Sequence, residues 1–247
     1  MPNRNRSLLP ALAYHRLTSL YDLVVSRLLA EQEWKIKLVG EVAPRPGDVV
    51  VDLGSGTGTL AMMLKAACPA AEIHGVEPDR KMIELAQEKA RVANLAVAFH
   101  QHFADELPFA AGFATKVVSS LVFHHLDRKT KRASLEAAHR VLRSGGQLHI
   151  CDWTTPDNPL MRLAYLQIQL LDGFATTDDN RRGLLPFFMR EAGFVEVIET
   201  YRRKTLFGNL GFFSGTAPPH PHRLQPEPPE PLARDLSTAL HECAGSS

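Results

Sequence analysis

The segment formed by residues 49–60, VVVDLGSGTGTL, restricts the possible folds more than any other stretch of the chain. Residues 48–53 are a short β-branched run, which predicts a buried strand. Three glycines follow at once within residues 54–58, and the helical pattern of residues 57–67 begins inside the same loop. A glycine loop between a strand and a helix lets the backbone pass close to a ligand, so we expect a binding site there.

Strands and helices continue to alternate beyond this loop. The pattern predicts strands at residues 72–77, 97–103, 116–121 and 147–153, and helices at residues 79–92 and 128–142. Asp79 is the expected N-cap of the first of these helices, and Ser144-Gly145-Gly146 is expected to end the second. Such alternation is typical of a doubly wound α/β fold with a mostly parallel sheet, in which ligands bind at the carboxyl ends of the strands.

The remaining segments are less regular. Apolar spacing predicts one or two amphipathic helices within residues 12–42, a helix at residues 158–171, and another at residues 178–191 with Pro186 near its middle. Strands at residues 194–201 and 205–216 predict an antiparallel hairpin on the edge of the sheet, which brings the sheet to seven strands. The seven prolines between positions 217 and 231 predict a disordered or polyproline tail.

Composition narrows the function classes. The 247 residues carry a net charge of +1 with acidic and basic residues interspersed, so we expect no nucleic-acid partner. Cys68, Cys151 and Cys243 are too far apart for a metal-ligand motif or a disulfide framework, which predicts no metal site and favours a cytoplasmic protein. No apolar run is long enough to span a bilayer. The sequence gives no indication of the oligomeric state.

Two acidic residues suggest what the loop binds. A dinucleotide fingerprint, G-x-G-x-x-G or G-x-G-x-x-A, requires a small residue at position 59, which is Thr59 here. Asp52 immediately before the loop disfavours a pyrophosphate and suits a ligand with an amino group. Glu77, at the end of the second predicted strand, can accept hydrogen bonds from both hydroxyls of a ribose. Either carboxylate alone could instead cap a helix or be solvated, but the combination points to a nucleoside that carries an amino group.

The glycine loop, Asp52 and Glu77 resemble the corresponding motifs of the class I S-adenosylmethionine-dependent methyltransferases. The motifs VVVDLGSGTGTL, IHGVEPDRKMIELAQEKA, ADELPF, VVSSLVFHHL and EAAHRVLRSGGQLHICDW resemble, in order and spacing, the methyltransferase type 11 group. That group includes the ubiquinone and menaquinone biosynthesis C-methyltransferases. The resemblance covers residues 14–216. It implies a helical lid at residues 1–44, a Rossmann-like methyltransferase domain at residues 45–216 and a tail at residues 217–247.

The same resemblance implies roles for individual positions. Asp52 and the glycine loop would face the methionine part of S-adenosylmethionine, Glu77 would hold the ribose, and Met82 would pack on the adenine. Ser120 and Leu121 would line the cofactor and the mouth of the acceptor site. The full implied set of cofactor-binding residues is Tyr21 (in the lid), Asp52, Gly54, Ser55, Gly56, Gly58, Glu77, Pro78, Met82, Ala104, Asp105, Ser120 and Leu121.

Three positions depart from the family pattern. The aspartate expected four residues before the leucine of G-D-A-x-x-L-P-F is Phe103 here, and the acid falls at Asp105. Recognition of the adenine amino group would therefore shift to Asp105 or depend on the backbone and on stacking. The usual F-D at the start of the fourth strand is Ala114-Thr115, and the usual proline of R-V-L-x-P-G-G is Ser144. We expect these last two changes to affect structure alone.

His124 and His125 follow the fourth predicted strand directly. They are the candidate catalytic residues: each could act as a general base or orient a small-molecule acceptor that presents a phenol, a hydroxyl or an enolisable carbon. The alternative is that they hydrogen-bond their own loop and its neighbours. The sulfonium already carries the reactive methyl group and its leaving group, so we expect no catalytic triad.

Two other functions remain open at this point. An NAD(P)-dependent oxidoreductase could use a similar sheet, although Thr59 and Asp52 argue against it. A non-catalytic, methyltransferase-like binding protein is the second alternative, and the Phe103 departure and the proline-rich tail are its support. The sequence does not distinguish carbon, oxygen and nitrogen acceptors.

Overall fold

A single sheet organises the structure, a computed structural model that describes residues 31–205 and 208–219. The seven strands of this sheet are β1 Val49–Leu53, β2 Glu72–Val76, β3 Ala98–His100, β4 Ala114–Ser120, β5 Leu142–Thr154, β6 Val195–Lys204 and β7 Asn209–Thr216. Their order is β3-β2-β1-β4-β5-β7-β6. Strands β1 to β5 are parallel, whereas β7 runs antiparallel to both β5 and β6. The predicted α/β fold, with its mostly parallel sheet and its hairpin at the edge, is confirmed.

Seven α-helices are described around the sheet. They are α1 Glu31–Val42, α2 Thr59–Ala67, α3 Arg80–Val92, α4 Arg128–Val141, α5 Pro159–Asp172, α6 Phe174–Arg181 and α7 Leu185–Glu191, and a single 3-10 turn, Phe123–His125, follows β4. Side-chain caps define several of their starts. Asp79 accepts a hydrogen bond from the Lys81 amide at the start of α3, as predicted, and Asn158 does the same for the Met161 amide at the start of α5.

The helices cover both faces of the sheet. Adjacent strand residues point to opposite sides, so Val50 joins one hydrophobic cluster with Trp34 and Leu38 of α1, while Val51 joins the other with Leu135 of α4. All five residues are at most 1 % exposed. Burial on both faces explains why the strands read as continuous apolar runs instead of alternating polar and apolar residues.

Several predicted element boundaries were wrong. The segment Ser144-Gly145-Gly146 does not end a helix, because α4 stops at Val141 and β5 begins at Leu142. The predicted strand at residues 97–103 is reduced to β3. The predicted helix at residues 178–191 is two helices, because Gly183 takes the left-handed conformation between them (φ +69°). Pro186 then lies in the first turn of α7, where its missing amide hydrogen costs nothing.

The predicted N-terminal lid and C-terminal tail lie mostly outside the described residues. Residues 1–30 of the predicted lid and residues 220–247 of the predicted tail are not described, so the three-part division stays a prediction. Within the described part, α1 packs three buried apolar side chains, Trp34, Leu38 and Val42, against the domain. None of the described helices is both long enough and apolar enough to cross a membrane.

Gly54 offers a test of how tightly the loop is packed. A Cβ atom built on Gly54 would lie 2.3 Å from Cγ2 of Val122, whereas one built on Gly145, with nearly the same φ (+73° against +72°), meets nothing within 4 Å. Because both alanine substitutions carry similar backbone strain, the difference between their stability losses measures the cost of overpacking at Gly54. We expect Gly54→Ala to lower the free energy of unfolding, measured in urea, by about 1–3 kcal/mol more than Gly145→Ala. Equal losses would contradict this packing.

Candidate active site

The glycine loop is anchored to the end of the neighbouring strand. The backbone amides of Gly54 and Ser55 both donate to the carbonyl oxygen of Val76, the last residue of β2, at 2.8 and 2.9 Å. The Gly58 amide donates to the Ser55 carbonyl at 2.8 Å, which closes the turn into α2. Gly54, Gly56 and Gly58 all have positive φ, a conformation that disfavours other residues. The loop is therefore held at the carboxyl edge of β1 and β2 before any ligand binds.

Glu77 is fixed beside this loop. Its Oε2 accepts a hydrogen bond from the Gly56 amide at 3.0 Å, and its Oε1 accepts one from the Asp79 amide at 3.1 Å. Burial raises the pKa of the Glu77 carboxyl, although these two amide bonds oppose the effect. Each carboxylate oxygen retains a lone pair that can accept another donor. Two hydroxyls of a ribose would match this arrangement.

Asp52, in β1 just before the loop, has a buried carboxylate with one unpaired oxygen. It is 1 % exposed, and its Oδ2 atom finds no hydrogen-bond partner among the described residues. Burial raises the pKa of the Asp52 carboxyl to about 7, although the positive charge of Lys35 on α1 partly opposes this. An unpaired buried acceptor is costly. A cationic group of a ligand would supply the missing partner.

Phe99 is a loop neighbour that the sequence did not indicate. A Cβ atom on Gly75 would lie 2.6 Å from its Cδ1, and one on Gly58 would lie 2.7 Å from its Cζ. The ring of this β3 residue therefore fills the space that a side chain at Gly58 or Gly75 would occupy. A partly buried phenylalanine in a short strand has no distinctive sequence signal.

The remaining positions of the predicted set are spread around this edge. Pro78 and Met82 are half-buried, and Met82 lies in the first turn of α3, one turn after Glu77. Ala104 packs against one hydrophobic cluster, and Asp105 lies in the turn that follows β3. Their contacts with an adenine ring stay predictions. Tyr21 lies outside the described residues.

The chain turns sharply after β4. Leu121 has a positive φ (+55°), unusual for a branched side chain, and its amide donates to the Cys151 carbonyl of β5 at 2.9 Å. Ser120 and Leu121 are both half-buried at this strand end. The turn presses Val122 against Gly54 and leads into the 3-10 turn that contains both candidate histidines.

Asp152 organises the histidine segment from β5. Fully buried, it accepts hydrogen bonds from His124 Nδ1, the Phe123 amide and the Trp153 amide, each at 2.7 Å, and from Asn180 Nδ2 at 3.2 Å. Burial alone would raise the pKa of Asp152, but the His124 charge and hydrogen bond outweigh it and hold the pKa below its usual value. An ionised Asp152 only accepts, so Nδ1 of His124 donates and its Nε2 keeps a free lone pair in the neutral ring.

Asp172, at the end of α5, completes this side of the edge. Its Oδ2 lies 3.7 Å from Nε2 of His124, and its Oδ1 lies 3.5 Å from Nδ1 of His125. Burial raises the pKa of the Asp172 carboxyl and lowers that of His125. The sequence indicated neither Asp172 nor Asn180, because both come from the irregular second half and reach the site only through tertiary packing.

Comparisons with known proteins agree with this geometry. A family model described as a methyltransferase domain matches residues 50–146. The demethylmenaquinone methyltransferase of Thermus thermophilus is 31% identical over 155 residues, which are 62% of this chain and 69% of that protein. The chain belongs to the class I S-adenosylmethionine-dependent methyltransferases.

A second relative is similar in sequence, and a solved structure shares the fold. The ubiquinone/menaquinone biosynthesis C-methyltransferase of Syntrophotalea carbinolica is 29% identical over 62% of this chain, and the match spans 64% of that relative's length. The crystal structure of an S-adenosylmethionine-dependent methyltransferase from Thermotoga maritima shares the fold, with a TM-score of 0.59 and 21% identity over 83% of this chain and 97% of that one.

The residues of this methyltransferase fit the cofactor of its family. The unpaired Oδ2 of Asp52 is suited to the cationic amino group of S-adenosylmethionine, and Glu77 to its ribose hydroxyls.

The order of strands in the sheet argues against the dinucleotide alternative. The antiparallel β7 lies between β5 and β6, which differs from the parallel order 3-2-1-4-5-6 of dinucleotide-binding folds.

The buried charge of Asp52 predicts a pH-dependent stability. A carboxyl with a higher pKa in the folded chain holds its proton more tightly there, so stability is lost as the pH rises from the ordinary value of 3.8 to about 7. Asp52→Asn removes this loss. We expect the free energy of unfolding of the variant, relative to that of the wild type, to rise by up to about 4 kcal/mol across that pH window and to stay constant above it. Urea unfolding at several pH values measures this difference.

Glu84→Gln, which changes an exposed acid on α3, is the control and should show no such trend. A difference between Asp52→Asn and wild type that stays constant from about pH 4 to pH 8 would contradict the raised pKa.

Proposed function

We propose that this chain transfers a methyl group from S-adenosylmethionine to a small acceptor by in-line displacement. The observation that carries the proposal is the placement of Glu77. Its two oxygens bridge the Gly56 and Asp79 amides, and the adjacent strand β1 contains Asp52 with an unpaired oxygen. Two groups that would suit a ribose and a cationic amino group thus lie at the carboxyl ends of two neighbouring parallel strands.

The protein's own residues would bind and orient. When bound, S-adenosylmethionine supplies an activated methyl group and a neutral thioether leaving group. Asp52 would pair with the amino group, Glu77 would hold the ribose, and the open glycine backbone would let the cofactor lie close to β1. The chain's remaining task is to align the acceptor with the methyl group and to exclude water. The further proposed cofactor contacts are Tyr21, Ser55, Pro78, Met82, Ala104, Asp105, Ser120 and Leu121.

His124 and His125 are the residues that we propose to act on the acceptor. Both lie in the segment that packs against the glycine loop through Val122, and His124 is oriented by Asp152 with its Nε2 lone pair free. A histidine so placed can take a proton from the acceptor or orient it. Trp153, which follows Asp152, is buried, and its ring lies roughly perpendicular to the rings of His124 and Tyr165.

A hydrophobic or aromatic acceptor fits the surroundings best. Leu170, Leu171 and Phe174 flank Asp172 along the chain and are 68 %, 68 % and 53 % exposed. An exposed apolar group beside convergent polar side chains is typical of a site for an apolar ligand. The relatives named for ubiquinone and menaquinone biosynthesis are consistent with such an acceptor.

Calorimetry with S-adenosylhomocysteine tests the cofactor site directly. We expect the wild type to bind, and Glu77→Ala to weaken binding by at least about tenfold, since the loss of a charge-assisted hydrogen bond costs about 1.5–3 kcal/mol. Glu84→Ala, the exposed α3 acid, is the matched control and should bind like the wild type.

The outcomes separate the alternatives. A folded wild-type protein that does not bind S-adenosylhomocysteine, but binds NAD(P)H, would contradict the proposal in favour of an oxidoreductase. Binding without turnover of any aromatic or hydrophobic acceptor in a broad panel would instead favour a non-catalytic binding protein.

A further inference from the structure

Three side chains converge at the acceptor side without bonding to one another. Ligand atoms of His124, His125 and Asp172 all lie within 4.8 Å of one another. They come from the 3-10 turn after β4 and from the end of α5, segments that are far apart in sequence. The cysteine spacing predicted no metal site, and this group contains no cysteine.

The distances fit ligands of a shared ion better than hydrogen bonds. The separations of 3.7 Å (His124 Nε2 to Asp172 Oδ2) and 3.5 Å (His125 Nδ1 to Asp172 Oδ1) exceed normal hydrogen-bond lengths. Among the described residues, no hydrogen bond to the Asp172 carboxylate is found. Ligand atoms about 2.0–2.1 Å from a tetrahedral ion lie about 3.4 Å apart. The two histidine–Asp172 separations are close to this value, each to a different oxygen of Asp172, and the three ligand atoms together lie within 4.8 Å of one another.

A second layer of bonds already orients His124. Its Nδ1 donates to Asp152, which is itself held by two backbone amides and by Asn180. Metal-binding histidines usually donate their other ring nitrogen to a carboxylate in this way, which fixes the tautomer and directs the free nitrogen to the ion. The bond leaves Nε2 directed toward Asp172.

We propose that His124 Nε2, His125 and Asp172 bind a divalent first-row transition-metal ion. Two imidazoles and one carboxylate suit Zn²⁺, Fe²⁺ or Co²⁺ better than Mg²⁺ or Ca²⁺, which prefer oxygen ligands. Three protein ligands leave a coordination position open. The exposed apolar residues Leu170, Leu171 and Phe174 flank Asp172 along the chain.

The open position would take the hydroxyl of a phenolic or enolic acceptor, a conclusion that rests on the proposed methyl transfer. An ion lowers the pKa of a bound hydroxyl, so the proton passes to water and leaves an electron-rich oxygen or ring as the nucleophile. The nucleophile forms the bond to the methyl carbon while the carbon–sulfur bond breaks, and its electron pair stays on sulfur as a neutral thioether. His124 would then hold the acceptor through the ion instead of acting as its base.

The chain contains a matched control site. His74 Nδ1 and His100 Nε2 lie 3.0 Å apart, and His74 Nε2 lies 2.8 Å from Glu72 Oε1. This second group also has two histidines and one acid, but its members use their nitrogens on one another and lie away from the 3-10 turn. His100→Ala therefore tests whether any paired histidines would bind the ion.

Cobalt absorption tests the proposal on the full-length protein. Titration with Co²⁺ should produce visible bands that saturate at one ion per chain for this site. His125→Ala and Asp172→Asn should each weaken that binding by at least about tenfold, whereas His100→Ala should leave it unchanged. Both test residues are partly exposed, so the substitutions are compatible with folding. Circular dichroism and calorimetry with S-adenosylhomocysteine on the same samples confirm folding and cofactor binding.

Each result decides one point. Co²⁺ binding that is absent, or equal in the wild type and in both variants, would overturn the metal site, and retained S-adenosylhomocysteine binding would leave the proposed function intact. Site-specific Co²⁺ binding without S-adenosylhomocysteine binding would support the metal site and contradict the methyltransferase proposal.

Discussion

The site depends above all on two carboxylates at one edge of the sheet, the buried Asp52 and the half-buried Glu77. Asp52 and Glu77 end neighbouring strands, and burial raises the pKa of both. Glu77 is stabilised by two backbone amides, whereas one oxygen of Asp52 has no partner in the described part of the chain. The folded protein thus carries an electrostatic cost that a cationic ligand would offset. Buried, unpaired polar groups of this kind are characteristic of functional sites.

The acceptor side is organised in the same way by a third carboxylate. Asp152 is satisfied by four donors, and these bonds fix the 3-10 turn and the ring of His124 and tie them to Asn180 of α6. The rigid turn then presses Val122 against Gly54, so the loop and the histidines share one packed junction. A change on either side of this junction therefore reaches the other through direct contact.

The sequence was sufficient for the features that local chemistry determines. The β-branched runs, the glycine loop and the Asp79 cap specify strands and helix starts within a few residues. An acid at each strand end indicates the edge where we propose that the cofactor binds. The errors fell where local signals conflict. Gly145 and Gly146 lie in a strand because they exchange backbone hydrogen bonds with Ala217, just after β7. Pro186 lies at the start of a helix because Gly183 has already ended the one before it. Lys35, Asp172 and Asn180 reach the site only through long-range packing, which no local pattern encodes.

The state of Asp52 is the most direct test of this account. The carboxyl carbon of Asp52, isotope-labelled and assigned by comparison with Asp52→Asn, can be followed by NMR as the pH is changed. The free protein should show a midpoint at about 7, and saturating S-adenosylhomocysteine should lower it by at least about one pH unit, because its amino group favours the ionised form. A midpoint near the ordinary value of 3.8 in the free protein, or no change on binding, would contradict the account.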